Sequence, residues 1–321
     1  MTPTVHNTKS SICETLKDFI VLVGKIVLAF LQSTYRCIVP NSKQSLKNEI
    51  VLITGAGKGL GKELALKFAE QEALVVLWDI DEKSVLGVES EIRERGGSAR
   101  SYVCDVSNEN HVKHVGKLVQ GEVGDVTILV NNAGIFHNVF FTDLDCDKIR
   151  RTIEVNLLAH FWMNKFFLPK MLEMEKGHIV AISSIAGLLG WLYMSDYSAS
   201  KFAMHGMMEA IEEEIRILGK SSKIFFTTVC PLTLDNGLNQ NPTTRCPLLL
   251  PIVNVKDAAS DIIDAVQREE RLVTVPRRCL FPIFVLRLFP RKVTQLILDF
   301  LQYNIIPHNL EKVIPTQEET N

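Results

Sequence analysis

Three side chains near the middle of the sequence have the types and the order that proton transfer requires. Tyr197 and Lys201 stand four residues apart at the start of a predicted helix, so both side chains leave the same helical face. Because a neighbouring ammonium and the positive charge of a bound cofactor ring both favour a phenolate over a phenol, this pair predicts a tyrosine that exchanges protons near neutral pH. Ser184, thirteen residues before Tyr197, is expected to orient a substrate oxygen, with Ser183 as the alternative.

A glycine-rich loop follows the first predicted strand. The letters T-G-A-G-K-G-L-G run from Thr54 to Gly61 and lead directly into a predicted helix. Backbone amides at a helix N-terminus bind phosphate, and glycine lets a pyrophosphate approach where a Cβ would stand in the way. A tight turn would also use glycines, but the position directly after a strand favours a dinucleotide site. The expected contacts are Thr54, Gly55, Lys58, Gly59, Leu60 and Gly61.

Polar residues at the ends of the next strands predict which dinucleotide binds. Asp79 ends the second predicted strand, where a carboxylate accepts hydrogen bonds from both hydroxyls of the adenosine ribose and repels a 2′-phosphate. Capping the following helix is the alternative role for Asp79. Lys58 would favour that phosphate, so the sequence predicts NAD, with NADP as the less favoured cofactor. Asp105 is expected either to accept from the adenine amino group or to cap the next helix.

Two further groups complete the predicted site. Asn156 lies in E-V-N-L-L inside a long predicted helix, where it is expected to bend the helix and to hold a water that relays protons from Lys201 to solvent. Together with Ser184 and Tyr197, these residues form a predicted catalytic set of four. The strand end that lines the cofactor ribose is expected to comprise Asn132, Ala133 and Gly134.

The elements that must position these residues alternate along the middle of the chain. Short apolar runs predict strands over Ile50–Thr54, Leu74–Asp79, Ala99–Cys104, Thr127–Asn131, His178–Ser183, Ile224–Cys230 and Leu272–Val275. Because most of these runs are continuously apolar, the strands are expected to be buried on both faces. Helices are predicted over Lys58–Glu72, Asp81–Arg95, Asn108–Gly121, Asp147–Glu175, Ser198–Gly219 and Lys256–Glu269. The alternation predicts one Rossmann-type α/β domain, a doubly wound parallel sheet of about seven strands with helices on both faces.

Composition excludes several other classes of protein. With 321 residues, 46% hydrophobic and 22% charged, the chain is not disordered, collagen-like or a coiled coil. Its net charge of -2 provides no field that would attract nucleic acid. The seven cysteines are scattered and never spaced C-x-x-C, so we expect reduced thiols in a cytosol-facing protein and no metal site.

Apolar segments at both ends of the chain predict contact with a membrane. The segment from Leu16 to Val39 is most apolar over Phe19–Leu31 and is interrupted by Lys25. Since a span needs about 20 apolar residues, this helix is expected to lie in one leaflet, with packing on the protein's own surface as the alternative. Near the other end, Cys279–Pro290 mixes bulky apolar groups with flanking cations, which suits an anionic bilayer or a lid over a substrate pocket.

These patterns predict three regions. Residues 1–48 form a membrane-associating helix, residues 49–275 a dinucleotide-binding catalytic domain, and residues 276–321 an apolar and basic extension with a polar tail. The cations that flank the apolar part of this extension are Arg277, Arg278, Arg291 and Lys292.

Apolar segments near the predicted catalytic residues indicate the kind of substrate. The ranges Gly187–Met194, Phe136–Phe141 and Leu248–Val253 are expected to wall the cleft with few hydrogen-bonding groups, although core packing explains some of these residues. Such walls suit a long or polycyclic lipid alcohol better than a sugar, without distinguishing retinoid, steroid and fatty alcohol. The expected substrate contacts are Ser184, Tyr197, Leu189 and Trp191.

The combined motifs resemble those of the short-chain dehydrogenase/reductase superfamily over residues 49 to about 275. The superfamily's T-G-x-x-x-G-x-G loop is matched by Thr54–Gly61 and its N-N-A-G strand end by Asn131–Gly134. Its tetrad is matched by Asn156, Ser184, Tyr197 and Lys201. L-W-D-I at Leu77–Ile80, A-H-F-W at Ala159–Trp162 and C-P-L-L-L-P at Cys246–Pro251 are similar to the membrane-bound branch of retinol and 17β-hydroxysteroid dehydrogenases, over nearly the whole chain.

The resemblance implies oxidation of a lipophilic alcohol with NAD, by hydride transfer with Tyr197 as general acid/base. It also implies a location at the endoplasmic reticulum membrane or lipid droplets, and a homodimer built on the helices that carry Asn156 and Tyr197. The alternatives are an NADP-dependent carbonyl reductase and a low-turnover structural protein at a membrane or lipid droplet. One position departs from the family: five residues past Pro231, where a Thr usually bonds the nicotinamide carboxamide, this chain has Asn236, with Thr233 as a substitute.

Overall fold

The computed structural model describes residues 12–235, 244–247 and 250–301, and the chain divides into two units between Lys43 and Gln44. In the first unit, helix α1 spans Ile12–Ile38. Its apolar side chains are exposed, including Phe19, Ile20 and Phe30. None of the helices in the described ranges has both the length and the apolarity needed to cross a membrane.

In the second unit, the described residues form one sheet of seven parallel strands in the order β3-β2-β1-β4-β5-β6-β7. The strands are β1 Ile50–Thr54, β2 Leu74–Asp79, β3 Ser98–Val103, β4 Ile128–Asn131, β5 Gly177–Ile182, β6 Ile224–Pro231 and β7 Leu272–Val275. The predicted doubly wound parallel sheet is therefore confirmed. Because the order of strands reverses between β1 and β4, the loops after these two strands diverge and leave a crevice at the carboxyl edge of the sheet.

The described helices of this unit are α2 Gly59–Glu70, α3 Glu82–Glu94, α4 Glu109–Glu122, α5 Cys146–Ile153, α6 Ala159–Met174, α7 Ser195–Ile217, α8 Val255–Gln267, α9 Leu280–Leu288 and α10 Arg291–Leu301. Helices α2 to α8 connect the strands, and α9 and α10 follow the last strand. The single helix predicted over Asp147–Glu175 is in fact two α-helices, α5 and α6, joined by a π-helical turn at Glu154–Leu158.

The core consists of an apolar layer on each face of the sheet. Successive strand residues point to opposite faces, so Val51 packs in one layer and Leu52 in the other. The first layer includes Phe68 of α2, and the second includes Trp78 of β2 against Phe167 of α6, with ring centroids 5.9 Å apart. Each such fully buried side chain contributes about 1.5 to 3 kcal/mol, so the sheet is a firm base for the loops at its edge.

A third apolar cluster holds α9 against the loops at the carboxyl edge. Cys279 and Ile283 are buried there with Ile185, Leu188 and Leu232. This contact joins the C-terminal helices to segments that also border the crevice.

The cations of this C-terminal region are not all available to a lipid surface. Arg277 pairs with Asp264 and with Glu270, in each case with 2.7 Å between nitrogen and oxygen. Arg277, one of the flanking cations, is therefore paired with acids of α8 and of the loop after it.

Candidate active site

A cleft of about 520 Å³ opens at the carboxyl edge of the sheet. Loops that follow β1 to β6 supply its lining, so residues distant in sequence meet at one place. Most of the predicted cofactor contacts border it, namely Gly55, Lys58, Gly59, Leu60, Gly61, Asp79, Asp105, Asn132, Ala133, Gly134, Tyr197 and Lys201. The described residues contain no cluster of three or more side chains that could hold a metal ion.

Hydrogen bonds of Thr54 and Asn132 hold the glycine-rich loop in position on the side away from the cleft. The buried Thr54 hydroxyl accepts hydrogen bonds from the backbone amides of Asn132 and Ala133, both at 3.0 Å. The Asn132 amide group donates to the carbonyl oxygens of Thr54 at 2.9 Å and Gly55 at 3.1 Å. Thr54 therefore positions the loop and does not itself line the cleft.

Two glycines in this loop cannot carry a side chain. Gly55 has a φ of +64°, and a Cβ there would lie 2.9 Å from the Cα of Ala133. A Cβ on Gly61 would collide with the carbonyl oxygen of Gly55. Lys58 precedes the first turn of α2 without a capping hydrogen bond from its side chain, which leaves backbone N–H groups facing the cleft. This cradle fits the pyrophosphate of a dinucleotide.

Carboxylates surround the place where the adenosine ribose is expected. Asp79 accepts hydrogen bonds from the backbone amides of Gly57 at 2.8 Å and Asp81 at 3.0 Å. The cap of α3 is Asp81, which accepts from the Ser84 amide, so the alternative role of Asp79 as a helix cap is wrong. Lys58 pairs with Asp81 at 2.7 Å, and the hydrogen bond from Lys58 lowers the pKa of the Asp81 carboxyl.

Asp105 borders the cleft beside a cation that the sequence analysis did not identify. Asp105 accepts from the amide and hydroxyl of Ser107 at 3.0 and 2.6 Å, and it pairs with Arg151 at 3.3 Å. Burial raises the pKa of the Asp105 carboxyl, but these hydrogen bonds and the charge of Arg151 outweigh burial and lower it. Asn108 caps α4, so the alternative role of Asp105 as that cap is wrong.

The structure brings Ser184, Tyr197 and Lys201 together at the other end of the cleft. Ser184 follows β5, and its hydroxyl accepts from the Ala186 amide at 3.1 Å. Its side chain interacts with Tyr197, which lies in the first turn of α7. Lys201 lies one turn later, and its Nζ donates to the carbonyl oxygen of Ile182 at 2.7 Å. The same Nζ is 5.6 Å from the centre of the Tyr197 ring. Phe136 packs edge-on against that ring, with 5.8 Å between centroids.

The protein groups alone do not make Tyr197 acidic. Burial raises the pKa of Tyr197 to about 12, although the hydrogen bond with Ser184 acts in the opposite direction. Burial also lowers the pKa of Lys201 to about 8, so its ammonium is still charged at pH 7. Desolvation is therefore the larger effect in the protein by itself, and the prediction that Lys201 and a bound nicotinamide together favour the phenolate stays a prediction.

Asn156 lies in the π-helical turn between α5 and α6, which confirms the predicted local distortion of the helix. Its side-chain oxygen accepts from the Ile135 amide and its nitrogen donates to the Ile135 carbonyl oxygen, both at 2.8 Å. The nitrogen also donates to the Ser200 hydroxyl at 3.2 Å. Asn156 thus holds the loop after β4 against α7, and it does not line the cleft.

The expected substrate contacts divide into two groups. Trp191 borders the cleft, as do the apolar residues Phe136, Ile185, Met194 and Leu232. Leu189 instead packs on the third apolar cluster, so the structure does not bring it to the cleft.

Several other predicted residues lie away from the cleft or outside the described ranges. Phe141 is 71% exposed, while Leu250 and Val253 pack on the third apolar cluster. Asn236, Leu248 and Leu249 lie outside the described residues. Thr233, the alternative to Asn236, borders the cleft.

A buried carboxylate beside Tyr197 was also missed. Asp196 accepts a hydrogen bond from the Thr152 hydroxyl at 2.6 Å and lies 3.4 Å from Nδ1 of His137. These contacts tie α5 and the loop after β4 to the start of α7. Because the three residues belong to separate elements, only the folded structure reveals them.

Comparison with known proteins places this site in a family. The short chain dehydrogenase family model matches residues 49–245. Short-chain dehydrogenase/reductase family 16C member 6 of Bos taurus is 40% identical over 291 residues, covering 90% of this chain and 92% of that protein. Epidermal retinol dehydrogenase 2 of Homo sapiens is 38% identical over 289 residues (90% and 93%), and human 17-beta-hydroxysteroid dehydrogenase 13 is 36% identical over 259 residues (81% and 85%).

Solved structures agree with the fold. A short chain dehydrogenase/reductase from Burkholderia phymatum in complex with NAD superposes with a TM-score of 0.68 at 24% identity, covering 82% of this chain and 98% of that one. A metagenomic short-chain oxidoreductase in complex with NADP has a TM-score of 0.60 at 27% identity (72% and 96%). The chain therefore belongs to the short-chain dehydrogenase/reductase family and is an NAD(P)-dependent oxidoreductase of alcohols and carbonyls.

Proposed function

We propose that this protein oxidises lipophilic alcohols with NAD, using Tyr197 as the general base. One observation carries the proposal: a single cleft joins the glycine-rich loop and Asp79 at one end to Ser184, Tyr197 and Lys201 at the other. A dinucleotide held by the first group would extend toward the second.

The chain's own residues account for the movement of the proton. When bound, NAD supplies the acceptor for a hydride from the carbinol carbon. Ser184, whose side chain interacts with Tyr197, donates to the substrate oxygen and holds it beside the phenol. Tyr197 takes the hydroxyl proton as the C–H bond breaks. The charge on Lys201, one helical turn away, favours the phenolate that this step requires.

The charges near the ribose favour NAD over NADP. Asp79 presents a carboxylate at this end of the cleft, and Lys58 is held by Asp81. A 2′-phosphate would therefore meet two carboxylates and a cation that is already paired. An NADP-dependent carbonyl reductase is the alternative function that these contacts disfavour.

The substrate is proposed to be a retinoid, a steroid or a fatty alcohol. Phe136, Ile185, Trp191, Met194 and Leu232 surround the catalytic end of the cleft with apolar groups. The curated relatives include proteins named as retinol and hydroxysteroid dehydrogenases.

The protein is further proposed to act at the endoplasmic reticulum membrane or a lipid droplet, with the catalytic domain facing the cytosol. Exposed apolar side chains along α1 support this location, and so do Phe281, Leu288 and Phe289 near the cations Arg291 and Lys292. The proposal also includes the three predicted regions, 1–48, 49–275 and 276–321, and a homodimer built on the helical segments that carry Asn156 and Tyr197.

The test is a substrate screen with the full-length protein in detergent. Retinol, a 17β-hydroxysteroid and a long-chain fatty alcohol are each supplied with NAD or NADP, and the reduced cofactor is followed by absorbance. We expect turnover with at least one lipid alcohol, faster with NAD, and none with a sugar alcohol. Faster reaction with NADP would contradict the cofactor proposal. A folded protein that binds NAD but turns over no alcohol or carbonyl would support the low-turnover structural alternative instead.

A further inference from the structure

Helix α6 carries buried polar side chains that the proposed mechanism does not use. His160 and Asn164 lie one turn apart on α6, and each is 2% exposed. Asn131, at the end of β4 and 1% exposed, donates from its amide nitrogen to the side-chain oxygen of Asn164 at 2.9 Å. The three side chains therefore form a polar cluster inside an otherwise apolar layer.

The hydrogen bonds of this cluster are incomplete. Four buried atoms have no partner within the described part of the chain: both ring nitrogens of His160, Oδ1 of Asn131 and Nδ2 of Asn164. Buried polar atoms in native proteins are almost always paired, and ordered water supplies the partner when the protein does not. A neutral imidazole and two amides offer two donors and two acceptors here, which is enough to hold water.

Lys201 has the complementary excess of donors. An ammonium has three N–H groups. Within the part of the chain that the structure describes, the Lys201 ammonium donates to one acceptor, the Ile182 carbonyl oxygen at 2.7 Å. The nearby side-chain oxygen of Asn156 already accepts from the Ile135 amide. Lys201 borders the cleft but is only 3% exposed, so on the side away from the cleft ordered water is needed to complete its bonding.

Backbone geometry places the cluster beside Lys201. His160 lies one turn after Asn156, which bonds to Ser200 next to Lys201, and Asn131 pairs in the sheet with Ala181, next to the Ile182 carbonyl that Lys201 binds. Burial lowers the pKa of His160 to about 3, and the charge of Lys201 lowers it further in the same direction. The imidazole is therefore neutral at pH 7 and keeps one nitrogen as an acceptor. The other titratable groups around Lys201 are Tyr197 and His205 on α7 and Cys230 on β6.

We propose that His160, Asn131 and Asn164 hold ordered water behind Lys201, and that this water accepts hydrogen bonds from the ammonium. The water keeps Lys201 charged beside Tyr197 during turnover. His160 is then a positioning residue that acts through Lys201. The inference rests on the proposed role of Lys201 and Tyr197 in alcohol oxidation.

The test compares two replacements of His160 with a control on the same helix. His160→Leu removes the acceptor and the donor, His160→Gln keeps one of each, and Met163→Leu changes a fully buried apolar neighbour. The logarithm of kcat/KM is measured against pH for the full-length enzyme. At alkaline pH, kcat/KM is expected to fall. In His160→Leu this fall should begin about one pH unit lower, which is roughly the effect of losing one hydrogen bond to a charged group. His160→Gln should restore most of that shift, and Met163→Leu should leave the profile unchanged.

A dry cluster predicts the opposite pattern. Replacing an unpaired imidazole by leucine would then raise the melting temperature, and the variant would have the same pH profile as the wild type. This result would overturn the proposal. A high-resolution crystal structure of the wild type tests the water directly, even where a variant does not fold. Water within hydrogen-bond distance of a His160 ring nitrogen supports the proposal, and an empty cluster refutes it. An enzyme inactive on every alcohol would refute the proposed function while this crystallographic result still decides the water site.

Discussion

Asp79→Asn tests the proposed preference for NAD at the residue that carries it. The asparagine keeps nearly the same shape and one acceptor oxygen, but it loses the negative charge that faces the ribose. One of the two backbone hydrogen bonds to this side chain, from Gly57 at 2.8 Å or Asp81 at 3.0 Å, is also lost. That loss loosens the loop for both cofactors, so the informative quantity is the ratio of their affinities.

The expected change in that ratio follows from Coulomb's law. Asp79 is half-buried, so effective dielectric constants between about 20 and 80 bracket its surroundings. Two unit charges about 5 Å apart then repel each other by about 1 to 3 kcal/mol. Removing this repulsion should raise the affinity for NADP relative to NAD by a factor of roughly 5 to 150.

Fluorescence titration with NADH and NADPH measures both dissociation constants on the same preparation. Asp105→Asn is the matched control, because it removes a carboxylate from the same cleft near the expected adenine site. It should weaken both cofactors by a similar factor and leave their ratio unchanged. An unchanged ratio in Asp79→Asn, or an equal shift in Asp105→Asn, would refute the assignment of Asp79 to the ribose.

Three further substitutions test the loop, the support of Tyr197 and the buried His178. In Gly61→Ala the new Cβ collides with the Gly55 carbonyl oxygen, so the NADH dissociation constant should rise at least about tenfold with an unchanged circular dichroism spectrum. Thr152→Val removes the 2.6 Å hydrogen bond to the buried Asp196 carboxylate, and urea denaturation should show a loss of about 1 to 3 kcal/mol. Burial lowers the pKa of His178 to about 4 in the folded protein. As the pH falls below 6.5, this histidine therefore takes up a proton in the unfolded chain before it does so in the folded one, which favours unfolding. The wild type should lose about 2 kcal/mol between pH 7 and pH 5 that His178→Gln does not lose.

Control variants for Gly61→Ala and Thr152→Val separate the cause from general damage, and His178→Gln is compared with the wild type. Gly87→Ala adds a Cβ that meets nothing within 4 Å, so it should leave cofactor affinity unchanged. Thr152→Ser keeps the hydroxyl and should keep most of the stability. The reasoning is contradicted if Gly61→Ala binds NADH normally, if Thr152→Val is as stable as the serine variant, or if His178→Gln shows the wild-type pH dependence.

The sheet and its edge could be predicted because their signals are local in the sequence. Continuously apolar runs marked most of the buried strands. β3, an edge strand that is neither continuously apolar nor fully buried, was still predicted as Ala99–Cys104, one residue from the observed Ser98–Val103 at each end. The glycine loop and the spacing of Tyr197 and Lys201 are likewise patterns within eight residues. Parallel strands then bring their carboxyl ends together, so the neighbourhood of these motifs follows from the topology.

The rest of the site depends on contacts between distant elements. Arg151 meets Asp105 across 46 residues, and neither has a local pattern that indicates the other. His160 stands in A-H-F-W on a helix, where sequence alone does not tell a buried imidazole from a surface one. The direction of the Tyr197 pKa depends on how deeply the ring is buried, which no spacing of residues determines.

Tyr197→Phe is the most direct test of the central claim that this phenol transfers the proton. Phenylalanine preserves the ring and its packing against Phe136 and removes only the hydroxyl. With the best alcohol from the substrate screen, kcat should fall by about 100- to 10,000-fold, the usual contribution of a general base. The NAD dissociation constant, measured on the same preparation, should change far less. Turnover close to that of the wild type would contradict the account.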